Sequence, residues 1–277
     1  ELYLRDVKQN KPTSVRTTII RLRTFFPDDE LTLAEITPRR AAAMHLILTR
    51  AQSVDSQRNI LAEARTFLKW CVQTKKWLAT NPLADIQGVG KRKHGKPQLR
   101  IDEARRWLAV ASQLAEDGDA GAIAAMTTLL LGLRSSEVIQ REVRDLDDGG
   151  RQLWIPDSKT LAGRRRLEVP EVLQPHLRGL SEAKLPNTLL FGQHWRDWPR
   201  KQVQRICELA KVPTVCAHSM RGLHSTLAIE AGTTAHAVAS SLGHESPAVT
   251  FRSYVAPGTA QRANARRILT VLKGGQR

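Results

Sequence analysis

Apolar side chains recur every three or four residues over most of the chain and alternate in only one place. The clearest helical stripe lies in "SVDSQRNILAEARTFLKWCVQTKKWLATNP", where Ile60, Leu61, Ala64, Phe67, Leu68, Cys71 and Val72 share one face. Ser53 or Asp55 is placed to cap its start and Asn81-Pro82 to end it. The same period predicts helices near residues 13–26 and 38–52, so residues 1–86 read as a small helical bundle. Further on it predicts helices near 102–116, 119–132, 135–143, 199–210, 219–231, 234–242, 247–255 and 260–272. The exception is "RQLWIPDSKTLAGRRRLEVPE". Leu153 and Ile155 alternate on one arm, Leu167 and Val169 on the other, and Gly163 lies in the connection, as in a β-hairpin.

The expected fold is therefore mainly α with one small β-hairpin, divided into residues 1–86 and 100–277. Between them, residues 87–99 open with "QGVGKRKHGKP", which has three glycines and no large apolar side chain after Val89, and read as a linker.

Charge changes the picture. The 277 residues carry 43 Lys plus Arg against 27 Asp plus Glu, a net +16 spread over both parts, which suits a polyanionic partner. Arg58, Arg65, Lys69, Lys91, Arg92, Lys93, Lys96, Arg164 and Arg165 are the candidate cations for the phosphates of such a partner, a nucleic-acid duplex among them, with a solvated face or a non-contacting hinge as the alternative. No amphipathic helix with an aromatic anchor face suggests a membrane surface, and the apolar run "AIAAMTTLLLGL" is too short to span a bilayer. Cys71, Cys207 and Cys216 are too few and scattered for a disulfide framework, which points to a reducing cytoplasm. They lack zinc spacing even with His218 nearby, so no metal or other cofactor is expected.

Some polar residues stand at marked positions. In "LLLGLRSSEV", Arg134 follows an apolar run, Ser135 or Ser136 can cap the next helix, and Glu137 is the natural ion-pair partner of Arg134. In "AHSMRGLHSTLAIEAG", His218 and Arg221 are one turn apart on one helical face, a pairing that an anion between them would favour. A helix running to Leu242 stops at Gly243, which fixes the exit of His244. Tyr254, one of two tyrosines, follows ten residues later, after Ser246-Pro247 has opened another short helix. Lys159 lies at the end of one hairpin arm; taken alone it reads as an ordinary exposed lysine.

Taken in order, "GLRSSE", the hairpin lysine, "HSMR", "LGH" and Tyr254 resemble the tyrosine recombinase family, the phage-type integrases. The likeness covers residues 100–257, and the preceding helical part is similar in length and helix pattern to the family's core-DNA-binding domain. Gly222 and His224 depart from the family's usual residues, and His224 reads as a packing or hydrogen-bonding side chain. The resemblance implies a catalytic set of Arg134, Lys159, His218, Arg221, His244 and Tyr254. In it the two arginines hold the phosphate, Tyr254 attacks phosphorus, His218 accepts its proton, His244 binds phosphate or positions the tyrosine, and Lys159 protonates the leaving 5′-hydroxyl.

It further implies double-stranded DNA sites as partners, a homotetramer on two sites, a Holliday junction, an accessory DNA-bending protein, and action on the nucleoid of a prokaryotic host. The tail "ANARRILTVLKGGQR" carries an apolar strip of Ile268, Leu269 and Leu272 that suits packing on a neighbouring subunit or on its own. A type IB topoisomerase uses the same kinds of residue, but the compact two-part layout and "LGH" favour the recombinase. A non-catalytic DNA-binding regulator and a basic metal-binding protein are weaker alternatives.

Overall fold

The computed structural model describes residues 1–9, 11–91, 95–147, 149–157 and 163–244, together with Ser246, Ala248, Thr250, Val255 and Thr259. The chain divides into two compact units, Glu1–Lys93 and His94–Arg277.

The first unit is built from α1 (Leu2–Lys8), α2 (Pro12–Phe25), α3 (Pro38–Ala51) and α4 (Val54–Gln73). Thr37 and Ser53 cap α3 and α4, accepting from the backbone N–H groups of Arg40 and Ser56. The α4 stripe faces inward as its spacing requires: Ile60, Leu61, Ala64 and Leu68 join Phe25, Ile36, Ala41, Leu48 and Leu83 in one core. Each large apolar side chain buried there contributes about 2 kcal/mol.

Helix α4 ends at Gln73, well before Asn81-Pro82, and Lys76 turns into the left-handed region at φ 58°. The residues that follow fold back along the helix. Asn81 donates to the Arg65 carbonyl at 3.1 Å, and the Arg65 guanidinium donates to the carbonyls of Leu83 and Ile86. Arg58 donates to the Gly88 carbonyl at 2.8 Å, and Gln57 to that of Val89. Arg58 and Arg65 thus clip this loop to α4, and the start of the 87–99 stretch is held rather than free. Lys69 and Lys91 are exposed; Arg92 and Lys93 lie outside the described residues.

The second unit wraps helices around α6 (Ala120–Leu130), which is buried on every side from Gly121 to Leu129. It packs against α5 (Ile101–Glu116), α9 (Trp198–Leu209) and α10 (Ala217–Glu230). A continuous apolar surface explains this placement, since a helix with no polar face has no side to give to water. The short α7 (Ser135–Ile139), α8 (Gln174–Ser181) and α11 (Ala235–Leu242) are further helices of this unit. Strands β1 (Gln152–Ile155) and β2 (Arg165–Glu168) pair antiparallel with Leu153 opposite Leu167 and Ile155 opposite Arg165. Leu153, Ile155, Leu167 and Val169 are all buried, so the alternating positions form the inner face. The helices expected near 247–255 and 260–272, with the tail residues Ile268, Leu269 and Leu272, lie outside the described residues apart from three isolated positions, Ala248, Thr250 and Val255.

Candidate active site

Helix α6 gives way after Leu130 to Leu131 and then Gly132, at φ 64°. A Cβ there would stand 2.6 Å from Leu242 and 2.8 Å from His224, so only glycine fits this turn. The turn delivers Arg134 to the start of α7. Its backbone N–H donates to the Glu137 carboxylate at 2.9 Å and its guanidinium to the other oxygen at 2.7 Å. Glu137 therefore caps the helix that Ser135 or Ser136 was expected to cap. Arg134 keeps about a third of its side chain exposed (31%), whereas Glu137 keeps 5%.

Helix α10 supplies the next two groups, one turn apart. Arg221 is fully buried; it donates to the Gly132 carbonyl and, at 2.6 Å, to the Leu242 carbonyl, and lies 3.9 Å from Glu137. His218, in the first turn of α10, is exposed. Partial desolvation, with the Arg221, Arg134 and Lys96 cations nearby, lowers its pKa. It stays neutral at pH 7, the form that can accept a proton.

Helix α11 ends as its glycine suggests. Gly243 adopts φ 65°, and the Gly243 and His244 amides donate back to the Ser240 and Ala239 carbonyls. His244 is thereby set against Arg221, whose Nη2 donates to its Nε2 at 2.9 Å, while its Nδ1 meets Thr250 Oγ1 at 2.7 Å. Burial and the Arg221, Arg134 and Arg165 charges push its pKa down to about 3. His224, three residues beyond Arg221, turns away: its Nδ1 pairs with the Leu129 carbonyl at 3.0 Å, and burial pushes its pKa down to about 4. It is a packing side chain of the Gly132 turn.

Arg165 is bonded within the protein. Only 7% of its side chain is exposed, and its guanidinium forks onto Glu137 at 3.2 and 3.0 Å. The remaining bonds go to the carbonyls of Ser241 (2.6 Å) and Gly163 (2.8 Å). All three of its guanidinium nitrogens are engaged within the protein, whereas Arg164 beside it is exposed, as is Lys96. Burial alone would raise the Glu137 pKa. Arg165 first, then the Arg134 amide and the Arg221 charge, bring it down to about 2. Among the described residues, three arginines thus share the one Glu137 carboxylate.

Residues far apart in the sequence thus meet: Arg134, Arg221 and His244 by direct bonds or through Glu137, and His218 through the charges it feels. Lys159 and Tyr254 lie outside the described residues. Sequence reasoning overlooked Glu137 as a shared hub, although its position three residues after Arg134 was visible. It also overlooked Gly132 and Thr250. Among the described residues no helix is long and apolar enough to cross a membrane, and no three His, Cys, Asp or Glu side chains gather as a metal site.

The chain is similar to known proteins. Tyrosine recombinase XerC of Mycobacterium tuberculosis (strain ATCC 25177 / H37Ra) is 28% identical over 205 residues, covering 67% of this chain and 67% of that protein. The Tn1549 transposon integrase, solved in complex with transposon right end DNA, superposes with a TM-score of 0.73 at 18% identity, over 97% of this chain and 98% of that one. A lambda integrase tetramer bound to a Holliday junction gives a TM-score of 0.67 at 16% identity, over 85% and 70% of the two chains. The structural likenesses establish the fold. Residues 97–260, more than half of the chain, match the model of the phage integrase family, and the chain therefore belongs to that family, the tyrosine-type site-specific DNA recombinases.

Proposed function

We propose that this chain cleaves and rejoins DNA strands at a specific duplex site through a 3′-phosphotyrosyl intermediate on Tyr254. The observation that carries this reading is the convergence of Arg134 and Arg221 beside Glu137 and His244. A phosphodiester repels nucleophiles because it is anionic, and its pentacovalent transition state carries more negative charge still. Guanidinium groups aimed at the non-bridging oxygens favour that state over the ground state.

The Tyr254 phenol has a reference pKa of about 10 and needs help to attack. Neutral His218 takes its proton as the oxygen bonds to phosphorus. The bond from phosphorus to the 5′-oxygen breaks, and Lys159 protonates that oxygen as it leaves. Lys159 and Tyr254 enter on motif order. His244 accepts from Arg221 through Nε2, so its proton sits on Nδ1 and is given to Thr250, four residues before the nucleophile. This favours a positioning role over direct phosphate binding.

The phosphotyrosyl bond conserves the energy of the broken linkage, so a 5′-hydroxyl from another strand can reverse the step without ATP. Two such exchanges on paired sites pass through a Holliday junction, and four active sites imply a tetramer. Exposed Lys69, Lys91, Lys96 and Arg164 are the cations available for phosphates, and the DNA substrate places the protein on the nucleoid.

The test is incubation of wild type and Tyr254→Phe with a pool of nicked, randomised duplexes from which the short cleaved strand diffuses away. The reading expects denaturation-resistant protein–DNA adducts with wild type alone. Adducts with both proteins, or with neither despite binding, would contradict it.

A further inference from the structure

The buried pair of Arg165 and Glu137 demands a reason, because a pair of apolar side chains would fill the same space at less cost in desolvation. Arg165 spends all three guanidinium nitrogens. Two hold the two oxygens of Glu137, one of them also binding the Gly163 carbonyl, and Nε holds the Ser241 carbonyl, three residues before His244. Lysine cannot reproduce this fork. The consequence falls on the neighbours. With both carboxylate oxygens occupied by Arg165, Glu137 makes one guanidinium bond to Arg134 and remains 3.9 Å from Arg221. A Glu137 without Arg165 is free to close on both arginines and compete with phosphate for them.

We propose that Arg165 is a positioning residue of the strand-cleavage site. It holds Glu137 so that the carboxylate orients Arg134 and Arg221 without capturing them, and it ties the turn before His244 to the same pocket. This rests on the reading that Arg134 and Arg221 neutralise the scissile phosphate. The direction of the Glu137 pKa agrees, since Arg165 is the foremost influence lowering it.

The experiment compares cleavage of a nicked duplex carrying an ordinary scissile phosphodiester with one carrying a methylphosphonate there, in which a neutral methyl replaces one anionic oxygen. The duplex is one recovered in the randomised selection. Wild type, Arg165→Gln, Arg165→Lys and Arg134→Ala are each checked for thermal unfolding and duplex binding. If Arg165 acts through the arginines, Arg165→Gln loses about 100-fold in cleavage on the phosphodiester, with duplex affinity nearly unchanged. On the methylphosphonate it comes within a few-fold of wild type, as does Arg134→Ala. Arg165→Lys shows the same selective loss and stands in should the glutamine variant fail to fold. Equal losses on both substrates for the Arg165 variants, with Arg134→Ala rescued, would overturn the proposal. Failure to rescue Arg134→Ala would instead overturn the phosphate reading, and the proposal with it.

Discussion

Arg221 Nη2 donates to His244 Nε2 at 2.9 Å, which obliges the imidazole to carry its proton on Nδ1. That proton points at Thr250 Oγ1, 2.7 Å away and fully buried. One imidazole thus joins Arg221, the proposed phosphate ligand, to the sequence that leads to Tyr254, the proposed nucleophile. Thr250→Val keeps the shape and removes the acceptor. Loss of one such bond costs about 1 kcal/mol, so adduct formation slows roughly 5-fold while duplex affinity holds. Single-turnover cleavage and a binding titration on the two proteins check this.

Glu137 is the only carboxylate within 4 Å of Arg134, Arg165 or Arg221 among the described residues. Glu137→Gln removes the carboxylate charge that these cations share and lowers stability by about 3 kcal/mol. The carboxylate's folded pKa of about 2 lies below its ordinary value of 4.5. Its contribution is therefore full above pH 4.5 and is lost as pH falls toward 2. Denaturant unfolding at pH 7 and pH 3 should give a larger difference between wild type and Glu137→Gln at pH 7.

The His224 and His244 imidazoles act in a different window. His224 and His244 have folded pKa values of about 4 and about 3, below the ordinary 6.5. The folded chain then binds fewer protons than the unfolded chain between pH 6.5 and those values, so stability falls as pH drops through that range. For His224 alone the loss reaches about 3 kcal/mol at its end. His224→Gln, which cannot titrate, should show a shallower fall in Tm between pH 7 and pH 5 than wild type. Equal slopes would contradict the assignment.

Gly132 combines a left-handed φ of 64° with contacts that leave no room for a Cβ, and its carbonyl receives Arg221. Gly132→Ala is expected to cost about 2 kcal/mol in stability. It should also slow cleavage more than binding, because the carbonyl that aims Arg221 moves with the turn. Calorimetry and single-turnover cleavage on one preparation measure both effects.

Where a structural cause is local, the sequence carried it. The α4 stripe, the alternation of Leu153 and Ile155 opposite Leu167, and the stop at Gly243 follow from periodicity and backbone stereochemistry. Two short helices escaped because they bury too little to mark a period: α1 buries Tyr3 and α8 buries Leu177. The end of α4 was misplaced because Asn81-Pro82 serves a loop that returns along the helix, held by Arg65. In the site, the order of arginines and histidines was legible, but their wiring was not. Arg165 and Glu137 are 28 residues apart, and nothing local distinguishes a buried arginine in "GRRRLE" from the exposed Arg164 before it.

The most direct measurement is the identity of the covalent link. An adduct trapped on a nicked duplex is digested with nuclease and trypsin, and the modified peptide is sequenced by mass spectrometry. The account predicts modification of the peptide spanning residues 253–262 at Tyr254, through a nucleotide 3′-phosphate. Attachment through a 5′-phosphate, or at any residue other than Tyr254, would contradict it.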